Sequence, residues 1–387
     1  MGVERVDRRL LGPVLAGFFI MGFCDMVAPI TGRIAAEFPA ERQAAVSFLP
    51  TMVFLWFLVL SVPTGMLMNR IGRKNTVLLS FLLHVIAMVV PLVVYDFASV
   101  MVAFGLLGMA NTLLQVSLNP LVTDVVGSGK VTGTLTLGQF VKAISSFVGP
   151  FIVAWASGTV FGWKLVFPIY AGMSLLALVW LWFTKVDEVR QERAEISFRA
   201  TFELFRDRRI TLYFIGILVL VGADVGVNVT FPEFLMERCG LVRADAGLGN
   251  SVYFFARMLG AFCGGILLMK YPERKFFAYS VYIALAGLIL VLLTGNLWFI
   301  LFSVVVFGIG YANLFSIIFS LSLQRRPDRA NEVSALLIAG IAGGAVLPPI
   351  LGAVSGWFGT QSAAMAVLIV VWLYMVWLIR EVKKPVL

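Results

Sequence analysis

Charge is scarce in this chain. Asp, Glu, Lys and Arg make up 13% of its 387 residues, about half the share found in a soluble domain. Histidine occurs once, at His84, which excludes a Ser-His-Asp hydrolase unless that ring lies at the reacting centre. A lone His in an apolar run reads more simply as a hydrogen-bonded packing residue. The cysteines, Cys24, Cys239 and Cys263, have neither paired nor metal-ligand spacing, so no disulfide framework and no metal site is expected. No Gly-x-x-x-x-Gly-Lys-Ser/Thr loop is present to hold a nucleotide. With no nucleophile, metal cluster or paired acids near a membrane face, the sequence reads as a non-enzyme that needs no cofactor.

What fills the sequence instead is apolar. Hydrophobic residues make up 60% of it, more than one globular core could bury, and a bilayer is the solvent that accommodates them. A spanning helix needs roughly 20 apolar residues. Twelve such stretches occur, at about 10–35, 43–69, 75–95, 98–126, 131–159, 163–185, 210–236, 246–270, 276–295, 297–323, 332–357 and 361–380. We number them spans 1 to 12. The expected fold is all-α and integral to the membrane, with twelve transmembrane helices. With the amino terminus inside, 23 of the 30 Lys and Arg fall at the termini and even-numbered junctions and 5 on the opposite side, Lys142 and Arg257 lying within spans. This bias puts both termini in the cytoplasm of a bacterial-type inner membrane. It also leaves nothing for a nucleic-acid partner to explain. The basic start, Met1 to Arg9, is followed by a run containing Asp25 and Pro29, which reads as a retained span 1 rather than a cleaved signal.

The second half of the chain repeats the first at offsets of 198 to 202 residues. Gly22 and Asp25 are echoed by Gly222 and Asp224. Gly65 with Arg70, Arg73 and Lys74 is echoed by Gly265 with Lys270, Arg274 and Lys275. Gly108 with Asn111 returns as Gly308 with Asn313, and Pro150 with Ser157-Gly158 as Pro349 with Ser355-Gly356. Two similar membrane halves are what an alternating-access carrier uses, with its site near the bilayer midplane. The expected organisation is a six-helix bundle at 1–185, a cytoplasmic linker at 186–209, and a second six-helix bundle at 210–387. In the linker, Phe198, Phe202 and Phe205 share one helical face, the pattern of a short amphipathic helix on the membrane surface; a solvated linker is the other reading. Pro29, Pro63, Pro120, Pro150, Pro348 and Pro349 lie inside spans, where each frees backbone groups and permits a bend.

Four charged residues sit deep in apolar segments: Asp25, Lys142, Asp224 and Arg257. Each costs roughly 2.5–3.5 kcal/mol on insertion scales if left at the bilayer centre, so each must face the interior and find a partner. Two acids and two bases sum to zero, and Lys142 and Arg257 are the natural partners for Asp25 and Asp224. Asp25 is the leading cation-coupling acid and Asp224 the second. Uncharged polar residues form stripes beside them. Asn111, Gln115 and Asn119 share a face of span 4, and Gln139, Lys142 and Ser146 a face of span 5. Asp224 and Asn228 do so on span 7, Asn250, Tyr253 and Arg257 on span 8, and Asn313, Ser316 and Ser320 on span 10. Amides and carboxylates converging from several helices satisfy the hydroxyls of a polyol, each of which donates and accepts. Trp56 is a candidate to stack on a sugar ring, although a Trp in a span more often packs or faces lipid.

The segment Gly65 to Lys74, GMLMNRIGRK, resembles the loop between spans 2 and 3 of the major facilitator superfamily, with Asn69 standing where Asp is usual. Leu114 to Pro120 (LQVSLNP), Leu137 to Phe140 (LGQF), Phe315 to Leu321 (FSIIFSL), Gly343-Gly344 and Pro349 resemble the fucose–galactose–glucose symporter branch, over nearly the whole chain. The resemblance implies the twelve-helix facilitator fold in two pseudo-symmetric halves. It also implies import of a monosaccharide coupled to a proton or sodium ion, by a chain expected to be a monomer in its lipid. It implies gating by Gly65, Asn69, Arg70, Gly72 and Arg73. Together with the polar stripes, it points to substrate binding by Asn111, Gln115, Asn119, Gln139, Lys142, Asn228, Arg257 and Asn313. Lys142 departs from the Asn expected at its position. A cation there keeps open an acidic substrate, such as sialic acid or a uronate, met by Lys142 or Arg257. A multidrug exporter or a sensor with a carrier fold stands behind both.

Overall fold

In hydrocarbon a backbone has no polar partner but itself, so long apolar runs become helices. In the computed structural model, which describes residues 8–27, 30, 31, 34, 37–39, 49–126, 130–186, 188, 198–242, 246 and 248–383, a helix lies on each of the twelve predicted stretches. Span 1 is Arg8–Met21, tightening into a 3-10 turn at Gly22–Met26. Spans 2 to 6 are Leu49–Ile71, Arg73–Val93, Phe97–Val125, Val131–Ser157 and Val166–Phe183. Spans 7 to 9 are Arg208–Cys239, Leu248–Leu267 and Glu273–Leu292. Span 10 is made of Leu297–Tyr311 and Leu314–Arg325, span 11 of Ala330–Ala339 and Gly343–Phe358, and span 12 is Gln361–Lys383. Ten helices among the described residues are long and apolar enough to cross a membrane, and no strand occurs among those residues.

The described prolines within spans do not set the breaks. Helices run through Pro63, Pro120, Pro348 and Pro349, because a single lost N–H bond is tolerated where neighbouring groups take up the freed carbonyl. The interruptions fall instead at Ala312-Asn313 in span 10 and in the 3-10 turn Gly340–Ala342 of span 11. Pro29 lies outside the described residues, as do the start of the second predicted stretch and the linker residues 187 and 189–197. The linker's described part contains the short helix Phe198–Glu203, in which Phe198 and Phe202 are exposed and Thr201 is buried. His84 is fully buried, with Nδ1 2.8 Å from the Ser80 carbonyl, in the packing role expected of it.

The chain forms two compact units. One comprises Met1–Val131, Val141–Glu203 and Pro327–Ala339; the other comprises Thr132–Phe140, Leu204–Arg326 and Gly340–Leu387. The first residues of span 5 therefore cluster with most of the second half of the sequence, and the first half of span 11 with most of the first half. Glycines make room for both. Within the first unit a Cβ on Gly65 would stand 2.8 Å from the Ala335 Cβ, and Ser334 donates to the Val116 carbonyl at 2.7 Å. Within the second, a Cβ on Gly265 would stand 2.8 Å from a methyl of Leu137.

Candidate functional site

Asp25 lies in the 3-10 turn where span 1 tightens. Its neighbour in the repeat motif, Gly22, lets span 5 approach: a Cβ there would sit 2.7 Å from the Lys142 carbonyl oxygen and 2.6 Å from the Ser145 Cβ. That close approach brings one carboxylate oxygen of Asp25 to 3.5 Å from Lys142 Nζ, and Ser146 donates its hydroxyl to the other at 2.7 Å. The contact is loose. The side chains of Asp25 and Lys142 remain 26% and 15% exposed.

Span 4 completes this constellation in the first unit. Asn111 donates to the Met21 carbonyl at 3.0 Å, immediately before the turn that carries Asp25. Gln115 donates to Asn111 Oδ1 at 2.8 Å and Asn119 to the Gln115 carbonyl at 2.8 Å. The predicted stripe is thus real and buried, but part of its hydrogen-bonding capacity is used to hold helices together. Asn119 keeps a buried carboxamide oxygen with no partner among the described residues. Trp56 packs on span 4, where a Cβ on Gly108 would come within 2.7 Å of its ring.

The second unit holds its acid tightly. Arg257 Nη1 lies 2.9 and 2.7 Å from the two oxygens of Asp224, and the Tyr253 hydroxyl donates to the same carboxylate at 2.5 Å. The Arg257 guanidinium also lies 4.9 Å from the centre of the Tyr311 ring, a cation–π contact. Asn228 donates to the Asp224 carbonyl at 2.9 Å and Asn250 to the Asn228 carbonyl at 2.9 Å. Both amides retain a buried oxygen without a partner among the described residues. Asn313 donates to the Gly260 carbonyl at 3.2 Å, and its side chain fills the space left by Gly264. Gln139 is half-buried, on the part of span 5 that clusters with this unit.

Of the predicted gating residues, Arg73 is the hub. It is 5% exposed, pairs with Asp124 at 2.6 Å and donates through Nε to Asn331 at 2.8 Å. Asn69 accepts a hydrogen bond from Asn331, so an amide pair stands where the family pattern would have placed an ion. Gly72 has φ +91°, a backbone open to glycine alone at low cost. This turn exposes the first N–H groups of span 3, and Glu188 accepts from both Arg73 N and Lys74 N at 2.7 Å. Arg70 is exposed.

Asp124, Asn331 and Glu188 were not legible as partners in the sequence. Asp124 alone carried a signal, as an acid closing an otherwise uncharged helix. Tyr253 and Ser146 stood in the predicted stripes, but nothing in the spacing singled them out as the groups that meet the acids.

Residues 13–241 and 212–387 each match the sequence pattern of the Major Facilitator Superfamily. The glucose/galactose transporter of Brucella abortus biovar 1 (strain 9-941) is 27% identical over 327 residues, covering 79% of this chain and 78% of that protein. The nitrite extrusion protein of Bacillus subtilis (strain 168) is 24% identical over 283 residues, covering 72% and 68%. Among solved structures, the fucose:proton symporter FucP of E. coli superposes with a TM-score of 0.86 at 16% identity, over 98% of this chain and all of that one. That likeness is one of fold.

Proposed function

We propose a cation-coupled monosaccharide importer, starting from the fact that the chain belongs to the Major Facilitator Superfamily. It is a multi-span membrane carrier and not an enzyme. Within that family, the substrate class is carried by the match to a glucose/galactose transporter along about four fifths of both chains. The side chains support it. Buried carboxamide oxygens of Asn119, Asn228, Asn250 and Asn313 have no partner among the described residues. Such acceptors suit a ligand rich in hydroxyl donors. Gln115, Gln139 and Asn111 complete the set proposed to meet the sugar.

Coupling is assigned to Asp25. Protonating it removes the charge that Lys142 faces and leaves Ser146 as its partner, so cation occupancy changes the polarity offered to substrate. Asp224 has a weaker claim, because its guanidinium and phenol partners clasp it in a fixed geometry. The two sequence halves, 1–185 and 210–387, are proposed to be the moving bundles, which the repeated family match supports. The basic face, carrying both termini, is proposed to lie in the cytoplasm of a bacterial inner membrane. There the hydrogen bonds of Asn331 with Arg73 and Asn69 must break for the carrier to open, with Gly65 permitting the close packing and Gly72 shaping the turn that presents Arg73.

A second reading has its own observation. Lys142 makes a single 3.5 Å contact with its acid, so its ammonium retains donors for a substrate carboxylate, and one relative is named for an anion. Uptake of labelled neutral and acidic sugars into proteoliposomes, under imposed proton and sodium gradients, separates the two. Gradient-driven glucose or galactose uptake supports the neutral reading. Saturable sialate or uronate uptake, lost in Lys142→Gln at unchanged thermal stability, overturns it in favour of the acidic one.

A further inference from the structure

A cavity of about 430 Å³ in the second unit is lined by Arg206, Asp207, Arg208, Arg209, Arg325 and Glu381, none of them in the acid–base pairs described above. Four guanidinium groups against two carboxylates leave a formal excess of two positive charges. The carboxylates are already engaged. Asp207 caps span 7, accepting from Arg209 N at 3.0 Å, and takes Arg325 Nε at 2.7 Å; Glu381, buried, lies 3.6 Å from Arg208. Arg206 and Arg208 are exposed. The positive end of the 32-residue helix Arg208–Cys239 opens into the same cleft. Planar guanidinium forks around a helix N-terminus match the tetrahedral oxygens of a phosphate group.

An independent observation bears on where such a phosphate would come from. One and two turns before Glu381 on span 12, Trp377 and Tyr374 form an aromatic pair with ring centres 5.6 Å apart. The Tyr374 hydroxyl donates to the Leu212 carbonyl at 2.8 Å, which seats this pair beside the first turn of span 7. Trp377 and its neighbour Leu373 are exposed. An amphipathic aromatic pair flanked by exposed apolar residues marks headgroup depth in a bilayer. A cationic cleft at headgroup depth faces lipid phosphates.

We propose that this cleft is a binding site for a phosphate-bearing anion, supplied by the headgroup of an anionic phospholipid. The purified full chain would be equilibrated with short-chain phosphatidylglycerol or phosphatidylcholine and the retained lipid read by native mass spectrometry. Retention of phosphatidylglycerol should exceed that of phosphatidylcholine by about 30-fold, the scale set by two excess cations near an anionic headgroup. R206Q/R208Q should lose that preference, R206K/R208K should keep most of it, and R199Q, which removes an exposed arginine outside the cleft, should leave it unchanged. Thermal unfolding of each variant reports folding separately. Weak competition by inorganic phosphate supports the lipid as the source, and competition on a par with the lipid identifies a free phosphate as the occupant of the same site. Equal retention of the two lipids, or undiminished phosphatidylglycerol retention in R206Q/R208Q or its absence in R206K/R208K at native stability, would overturn the proposal.

Discussion

Each half of the repeat buries one acid with one base, and the two pairs are built differently. Asp25 meets Lys142 through a single 3.5 Å contact and keeps 26% of its side chain exposed. Asp224 meets Arg257 through contacts of 2.9 and 2.7 Å, accepts from Tyr253 at 2.5 Å and is 13% exposed. An ammonium is a point charge on a flexible stem, whereas a guanidinium is a rigid fork that fixes a carboxylate in place. The same position in a repeat has been made a fastener in one half and left adjustable in the other. Two loops repeat the lesson. Glu37 and Glu237 are 200 residues apart, and each ties the end of an early helix in its unit to the start of a later one. Glu37 does so through Lys164 at 3.0 Å and Trp163 at 2.7 Å, Glu237 by accepting from Gln361 N at 2.6 Å and from the Thr360 hydroxyl.

If Asp224–Arg257 is the fastener, breaking it has the larger cost. Arg257→Gln leaves a buried carboxylate with no cation and should destabilise the protein by about 3–5 kcal/mol. Lys142→Gln should cost clearly less, since Asp25 keeps Ser146 and some solvent. Unfolding midpoints in one detergent compare the two, and equal losses would erase the distinction.

A smaller effect separates amides that bind from amides that hold. Gln115→Ala should weaken sugar binding by about 5- to 150-fold, the 1–3 kcal/mol of a lost buried hydrogen bond, with a smaller fall in unfolding midpoint than Asn111→Ala, because the bond it loses to Asn111 Oδ1 lies within span 4. Asn111→Ala removes the donor to the Met21 carbonyl and should lower stability and binding together. Isothermal titration beside thermal unfolding reads both. Unchanged affinity in Gln115→Ala would leave that residue as a packing amide.

The smallest effect is at the Glu37 clasp. Burial alone would push the Glu37 carboxyl up, but hydrogen bonds from Lys164, Trp163 and Tyr95 outweigh it and hold the group below its ordinary value. A depressed folded-state pKa means the clasp stabilises fully above the ordinary glutamate value of about 4.3 and loses that stability as pH falls through the depressed one. Because the group is partly solvated, the contribution is below about 1 kcal/mol. Glu37→Gln should flatten the acid limb of unfolding midpoint against pH; an identical acid limb in the variant would remove Glu37 as its source.

Much of this was legible in the sequence. The twelve apolar runs gave the helices because hydrocarbon allows little else, and the four charges in them had to pair because isolated charges there are so costly. Chemistry that looks alike from either side was not legible. An i, i+4 row of amides reads the same whether its partner is a ligand or a helix carbonyl, and one N–H of Asn111 and one of Asn313 are spent on helix carbonyls. Arg73 announced a loop but not its partners, since Asp124 and Asn331 lie 51 and 258 residues away. Pro63, Pro120, Pro348 and Pro349, read as positions that permit a bend, lie within continuous helices, since neighbouring groups can take up a carbonyl that has lost its N–H.

The comparison turns on Asp25, and one measurement tests it most directly: the ratio of gradient-driven accumulation to counterflow exchange in proteoliposomes carrying Asp25→Asn. A carboxylate that couples a cation is needed to concentrate sugar but not to exchange it across the membrane. Accumulation should therefore collapse to equilibration while exchange persists. Normal concentrative uptake in Asp25→Asn would contradict the account and return the coupling role to Asp224.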